Sequence, residues 1–256
     1  MNTTTNGHAK SNGTTLRIAK PKKTAQPEEI TISPIETQMV ECTIIGKSQL
    51  IVNNFGTKGL QQMEDMRART SEEKLAEKKG GKKPVTAAEI EKRFQAARVL
   101  DSKGRDCIRA AWVKGALLTA SKYKECGIPQ TWMKGAVFVE GDLLPIHFTP
   151  RGIKDSDETI TYYGKGPGQR RDIVRVGSFG SKQPDIRYRP AYDDWSITFT
   201  ITFEPKLVSL AALFHLVNRA GNSVGLCEWR PEGPGGGKGG HFGRFSLDMG
   251  NIKVIG

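Results

Sequence analysis

The sequence predicts an α+β fold, a split β-α-β-β-α-β sheet carrying large insertions. Three observations point there. Trp195, Ile197, Phe199, Ile201 and Phe203 alternate with Ser196, Thr198, Thr200, Thr202 and Glu204, the period-two signature of a strand with one buried face. Val40, Cys42 and Ile44 alternate in the same way with Glu41 and Thr43. Apolar residues at helical spacing then occupy the segments that follow each of these strands.

Residues 1–34 are rich in Thr, Asn, Gly, Pro and Lys, with Lys20, Lys22 and Lys23 clustered and little that could enter a core. They are expected to form a disordered basic tail, leaving residues 35–256 as a single α+β domain. The first strand begins near Thr37. Residues 58–79 mix Met and Leu with dense charge, so a solvated helix is expected there, within a charged helical insertion at about 58–105. Thr86 followed by Glu89 is a capping-box signature, and Ile90, Phe94 and Ala97 share one face of a helix over 86–99. A second amphipathic helix is expected with Ile108, Ala111, Trp112, Gly115 and Leu118 on its buried face, stopped by Gly127 and Pro129.

Ala136 to Val139 and Leu143 to Phe148 are β-prone runs separated by Glu140-Gly141-Asp142, a spacing that suits a tight hairpin or a bulged strand. Residues 149–190 hold many Gly, Pro, Arg and Tyr with brief apolar runs, and read as an Arg/Gly-rich excursion carrying a small hairpin. After the strand from Trp195 to Phe203, Pro205 suits a helix first turn. Leu207, Leu210, Ala211, Phe214 and Val217 make its apolar stripe before Gly221. A final strand at Arg244 to Leu247, extending through Ile252 to Ile255, follows a glycine-rich loop. This order is the split pattern of a ferredoxin-like or RNA-recognition-type sheet backed by two helices.

The 256 residues carry 39 Lys+Arg against 27 Asp+Glu, a formal charge of +12. Such a field attracts polyanions and makes their binding salt-sensitive. Nucleic acid is the expected partner; a basic surface without a specific target, or attraction to an anionic membrane, would give the same charge. No apolar run approaches the ~18–20 residues of a membrane span, and the N-terminus lacks the apolar stretch of a secretory signal, so a cytoplasmic protein without membrane attachment is expected. Cys42, Cys107, Cys126 and Cys227 are scattered without a CxxC pair, which suggests buried thiols instead of a zinc site or disulfides.

Two segments carry candidate binding chemistry. In the loop from Trp229 and Arg230 to Arg244, glycines let the backbone approach a ligand. Lys238 and Arg244 can neutralise phosphates there, and Trp229 or Phe242 can stack on a base. The loop is not a Walker motif, because the Gly-Lys-Ser/Thr ending is absent. A flexible surface loop is the competing reading. The second segment is the series Arg170, Arg171, Arg175, Arg187, Tyr188 and Arg189, whose guanidinium planes can pair with phosphates or stack on bases. Ion pairing of Arg187 and Arg189 with Asp185, Asp193 or Asp194, with Tyr188 packed beneath the insertion, is its alternative.

Catalytic residues are not predicted. His8, His147, His215 and His241 lie far apart and none has metal-ligand spacing, so no metal or other cofactor is expected. His241 sits in the glycine-rich loop, where it could serve as a general acid or base on a phosphodiester, but no second group accompanies it.

The segments Ile45-Gly46-Lys47-Ser48-Gln49-Leu50-Ile51-Val52-Asn53, Asp172-Ile173-Val174-Arg175-Val176-Gly177, Asp185 to Pro190 before Trp195, and Asn218-Arg219-Ala220-Gly221 through Glu228-Trp229-Arg230-Pro231 to Phe242-Gly243-Arg244-Phe245 together resemble a family of uncharacterised proteins of tailed phages and prophages. That resemblance implies expression in the cytoplasm of a bacterial host. The glycine-rich loop leading into Gly243-Arg244-Phe245 is also similar to the end of the repeat-associated mysterious proteins, RNA-recognition-like subunits of CRISPR effector complexes. Phe242-Gly243-Arg244-Phe245 departs from the full aromatic signature of an RNA-recognition motif. The sequence thus predicts a non-catalytic binder of single-stranded RNA or DNA, with copies assembling along the strand. The alternative is a phage assembly or host-takeover protein whose partner is a phage or host protein.

Overall fold

The computed structural model describes residues 34–54, 86–151, 154–157, 160–162, 164–176, 183–232 and 239–255, with Gly59, Glu64 and Arg67 as single helical positions. The chain divides into residues 1–34 and 35–256, and the architecture below is that of the second unit. The expected tail and nearly all of the helix expected over 58–79 lie outside the described residues.

Strand β1 (Gln38–Gly46) lies at the centre of a four-stranded antiparallel sheet. On one side it pairs with β10 (Ser196–Phe203), Cys42 facing Phe199, and on the other with β11 (Phe245–Ile255). Strand β4 (Val137–Val139) completes the order β11-β1-β10-β4. The alternation read from the sequence is realised: Val40, Cys42, Ile44, Ile197, Phe199, Ile201 and Phe203 are all buried. The register of β11 shifts between Cys42 and Ile44 of its partner, an irregularity at which Asp248 Oδ1 accepts from the Gly250 amide.

Helices α2 (Ala110–Ala120) and α4 (Leu210–Arg219) bury their apolar faces in the same core as these strands. Both differ from expectation. In α2 the buried residues are Ala110, Val113, Ala116, Leu117 and Ala120, while Ala111 and Gly115 are exposed. The helix is apolar nearly all round, so its periodicity does not select a face, and Ile108 belongs instead to strand β3 (Cys107–Arg109). Helix α4 starts at Leu210 because the Ser209 hydroxyl accepts from the Ala212 amide at 3.2 Å; Pro205 and Leu207 form a preceding turn. The chain then continues through a π turn at Ala220–Val224.

The two runs flanking Glu140-Gly141-Asp142 do not pair with each other. Ala136 closes a short helix, α3 (Gln130–Ala136), and Val139 pairs with Ile201 in the main sheet. Strand β5 (Leu143–Pro145) pairs instead with β3, Leu144 facing Ile108. The turn carries the chain from one sheet to another, which a pattern of local β propensity does not register.

The excursion after residue 149 is larger than a hairpin. Strands β6 (Lys154–Asp157), β7 (Ile160–Tyr162), β8 (Gly168–Val176) and β9 (Gln183–Tyr192) join β2 (Leu50–Ile51) in a five-stranded sheet ordered β2-β9-β8-β7-β6. Helix α1 (Ala87–Ala97) packs against β9. The capping box expected at its start is formed in part, the Glu89 amide donating to Thr86 Oγ1 at 3.3 Å.

Among the described residues no helix is long and apolar enough to cross a membrane. All four cysteines are free thiols, three of them buried. Burial pushes Cys42 from 9.0 up to about 11. Burial also raises the thiols of Cys107, Cys126 and Cys227 and, with help from the Asp106 charge, the Tyr192 phenol. These groups are neutral when protonated and bind their protons more tightly folded than unfolded. Their contribution is therefore intact at low pH and lost as pH rises through the folded-state values. With Cys42 moving from 9.0 to about 11, the melting midpoint is expected to stay level up to about pH 9 and to fall between about pH 9 and 11. A midpoint that does not move across that window would contradict the packed environment of these groups.

Candidate functional site

The candidate site forms where the β8-β9 hairpin meets the loop between the π turn and β11. Antiparallel register places Arg170 opposite Arg189 and Asp172 opposite Arg187, and places Arg171 opposite Tyr188 between them. Directly opposed residues project to the same side and successive ones to opposite sides. The arginine series is therefore divided: Arg170, Arg187 and Arg189 share one face, whereas Arg171 and Tyr188 lie on the other.

Arg189 has no solvent exposure. Its Nη2 donates to Asp172 Oδ2 at 3.1 Å and its Nη1 to Glu228 Oε2 at 3.2 Å. The guanidinium carbon lies 4.6 Å from the centre of the Trp229 ring, which covers it. Desolvation lowers its pKa, and the charges of Asp172 and Glu228 oppose that shift. Arg189 Nε and Asn53 Oδ1 are buried without a hydrogen-bond partner among the described residues. The arginine thus pairs with acids other than Asp185, Asp193 and Asp194.

Arg170 extends the cluster. It donates from Nε to Asp172 Oδ1 at 2.9 Å and from Nη1 to Gln49 Oε1 at 3.2 Å. Its guanidinium carbon lies 4.8 Å from the Phe242 ring centre and 5.5 Å from that of Trp229. The two rings are themselves 6.0 Å apart with a 38° tilt. Asn53 donates to Glu228 Oε1 at 3.3 Å, and Gln49 donates to Asp193 Oδ1 at 3.1 Å. The Tyr162 hydroxyl donates to the other Asp193 oxygen, joining β7 to the network.

The loop presenting the rings is held by its backbone. Glu228 N donates to Ile51 O at 3.0 Å, Leu226 N to Gly243 O at 2.9 Å, Phe242 N to Trp229 O at 3.2 Å and Gly243 N to Gln49 O at 2.9 Å. Cys227 and Trp229 take left-handed conformations at φ 63° and 53°, uncommon for side chains of this size and retained only where surroundings impose them. Gly243 combines φ +65° with an approach so close that a Cβ would lie 1.9 Å from Leu226 O. The glycine here serves backbone contact more than conformational freedom, while the glycine run at 233–238 lies outside the described residues.

The remaining candidates stand around this cluster. Arg230 folds back on its own loop, its Nε donating to Glu232 O at 2.8 Å. Arg244 donates from Nη2 to Asn222 Oδ1 at 3.0 Å while its amide donates to Ser48 Oγ at 2.9 Å. His241 is exposed. Arg187 lies 3.9 Å from Asp185, and Tyr188 is buried, as the packing alternative expected. Arg171 is exposed on the opposite face. Lys238 and the side chain of Arg175 lie outside the described residues.

The arrangement offers two partly exposed rings, Trp229 being 37% exposed, on a support of stacked guanidinium groups whose charge Asp172 and Glu228 balance. Rings so fixed can stack on a planar ligand with little loss of side-chain freedom. Asp172, Glu228, Gln49 and Asn53 were not among the residues nominated from sequence. For Asp172 a signal existed, since it stands two residues from Arg170 on a strand and so shares its face. Among the described residues no group of three or more His, Cys, Asp or Glu could hold a metal ion. Comparison with models of known protein families and with curated proteins gives no match.

Proposed function

We propose that this protein binds single-stranded nucleic acid without catalysing a reaction, bases stacking on Trp229 and Phe242 while cations around the loop engage phosphates. One observation carries the reading: two segments nominated independently, the arginine-rich insertion and the glycine-rich loop, meet in one cluster of Arg170, Arg189, Trp229 and Phe242. The frame we infer is the split ferredoxin-like one, with β1, α2, β4, β10, α4 and β11 as its β-α-β-β-α-β elements. The antiparallel order β11-β1-β10-β4 supports it. Its open face carries threonines, Thr43 and Thr198 hydrogen-bonding at 2.9 Å, in place of a set of stacking rings. Binding is therefore assigned to the insertion and loop. The setting we propose, a phage or prophage protein in the host cytoplasm assembling along a strand, rests on the sequence resemblance.

Titration of labelled single-stranded DNA and RNA across a salt series tests this. About three phosphate contacts, from cations such as Arg230, Lys238 and Arg244, predict a slope of log affinity on log salt of about −2. No binding at low salt, or affinity indifferent to salt, would count against it. A second reading, an assembly or host-takeover protein that docks on another protein, is favoured by the open-face row of Phe138, Met39 and Ile255, which are 46%, 37% and 41% exposed. It predicts a protein partner retained after nuclease treatment.

A further inference from the structure

A cavity of about 680 Å³ opens beside the first turns of α2, with Asn54, Leu100, Arg109, Lys114, Asp142 and Leu143 in its lining. That volume is in the range of small-molecule sites, roughly 300–1,000 Å³. None of these residues belongs to the Trp229 cluster. Arg109 donates to Asn54 Oδ1 at 3.3 Å and Lys114 to the carbonyl of Lys134 at 3.2 Å, and among the described residues neither cation is ion-paired. Leu100 is 42% exposed, so the lining includes an apolar surface open to solvent.

We propose that this cavity binds a phosphate-bearing, nucleotide-sized ligand. Lys114 Nζ rests 4.1 Å over the Phe138 ring, and its flexible stem lets the ammonium swing toward the cavity that it and Arg109 both line. Two lining cations without a carboxylate partner among the described residues favour an anion, and a fork-shaped guanidinium together with an ammonium suits phosphate oxygens. Leu100 and Leu143 provide the apolar walls for a base or sugar. The Asp142 carboxylate can accept from a hydroxyl or exocyclic amine. The site is independent of the proposed strand-binding surface, and each can fail without the other.

The same phosphate chemistry can come from a free nucleotide or from a strand, so calorimetric titration of the full chain uses adenosine monophosphate, adenosine and the trinucleotide ApApA. Binding of the monophosphate or of ApApA is expected at millimolar concentration or below, with adenosine at least about tenfold weaker, the loss of a charge-assisted contact. Arg109→Gln with Lys114→Gln is expected to weaken binding by the same factor or more. Leu100→Trp, which changes an exposed residue and neither cation, is expected to weaken it by narrowing the opening. Where the Arg109→Gln, Lys114→Gln variant weakens binding, a parent protein that prefers the monophosphate to ApApA identifies a free nucleotide as the source, and the reverse preference identifies a strand phosphate; ApApA binding that this variant leaves unchanged belongs to the strand-binding surface and counts against the proposal. Absence of binding by both phosphate-bearing probes, or affinity unchanged in both variants, would overturn it.

Discussion

Exchanging Arg189 for methionine is expected to cost about 3–5 kcal/mol of folding stability, the toll of breaking a buried ion pair from one side. Methionine retains an unbranched apolar stem in place of the arginine methylenes, so the loss falls on the guanidinium and its ion pairs. What remains is a pair of carboxylates robbed of their shared partner: Asp172, 5% exposed and left with Arg170 alone, and Glu228, left with Asn53. Lysine is not an adequate replacement, because a single ammonium lacks the fork that reaches both acids. Denaturant titration of Arg189→Met, Asp172→Asn and the double variant measures the coupling, expected to exceed about 1 kcal/mol because neutralising Asp172 removes the charge that Arg189 serves. Additive losses would mean that the two side chains do not form the paired unit described above.

Gly243→Ala is expected to be comparably damaging for a different reason. The added methyl requires a left-handed conformation and meets the Leu226 carbonyl oxygen at 1.9 Å, so backbone has to move. Such a clash costs several kcal/mol, on the order of other severe backbone defects. The displaced loop segment also carries Phe242. The variant should therefore lose stability and ring geometry together, visible as a lower midpoint and an altered tryptophan fluorescence spectrum. A control at Gly104, which also has positive φ but no atom within 4 Å of an added Cβ, should cost only the conformational part.

The strands of the main sheet were legible because one face is core and the other water, which writes alternation into Val40 to Ile44 and Ile197 to Phe203. The helix faces were not. Ala110–Ala120 is apolar on most sides, and its buried stripe is set by what packs against it. Of the second sheet only a small hairpin is legible, because its longest strands carry arginines and an aspartate on the face that other proteins fill with valine and isoleucine; a polar core has no hydrophobic period. The candidate site was legible in its rings and arginines but not in its acids. Arg189 and Glu228 are 39 residues apart, and Arg170 and Gln49 are 121 apart, separations at which no local pattern announces a pair.

The ring cluster is also the most direct point of test for strand binding. Trp229→Ala with Phe242→Ala removes both stacking surfaces while leaving the Arg189 ion pairs in place. Affinity for a short single-stranded oligonucleotide, measured at one fixed low salt concentration on protein whose melting curve shows it folded, is expected to fall at least about tenfold, since base stacking on an aromatic side chain contributes about 1–3 kcal/mol per base. Equal affinity in the variant and the parent protein would contradict the assignment of the interface to this cluster.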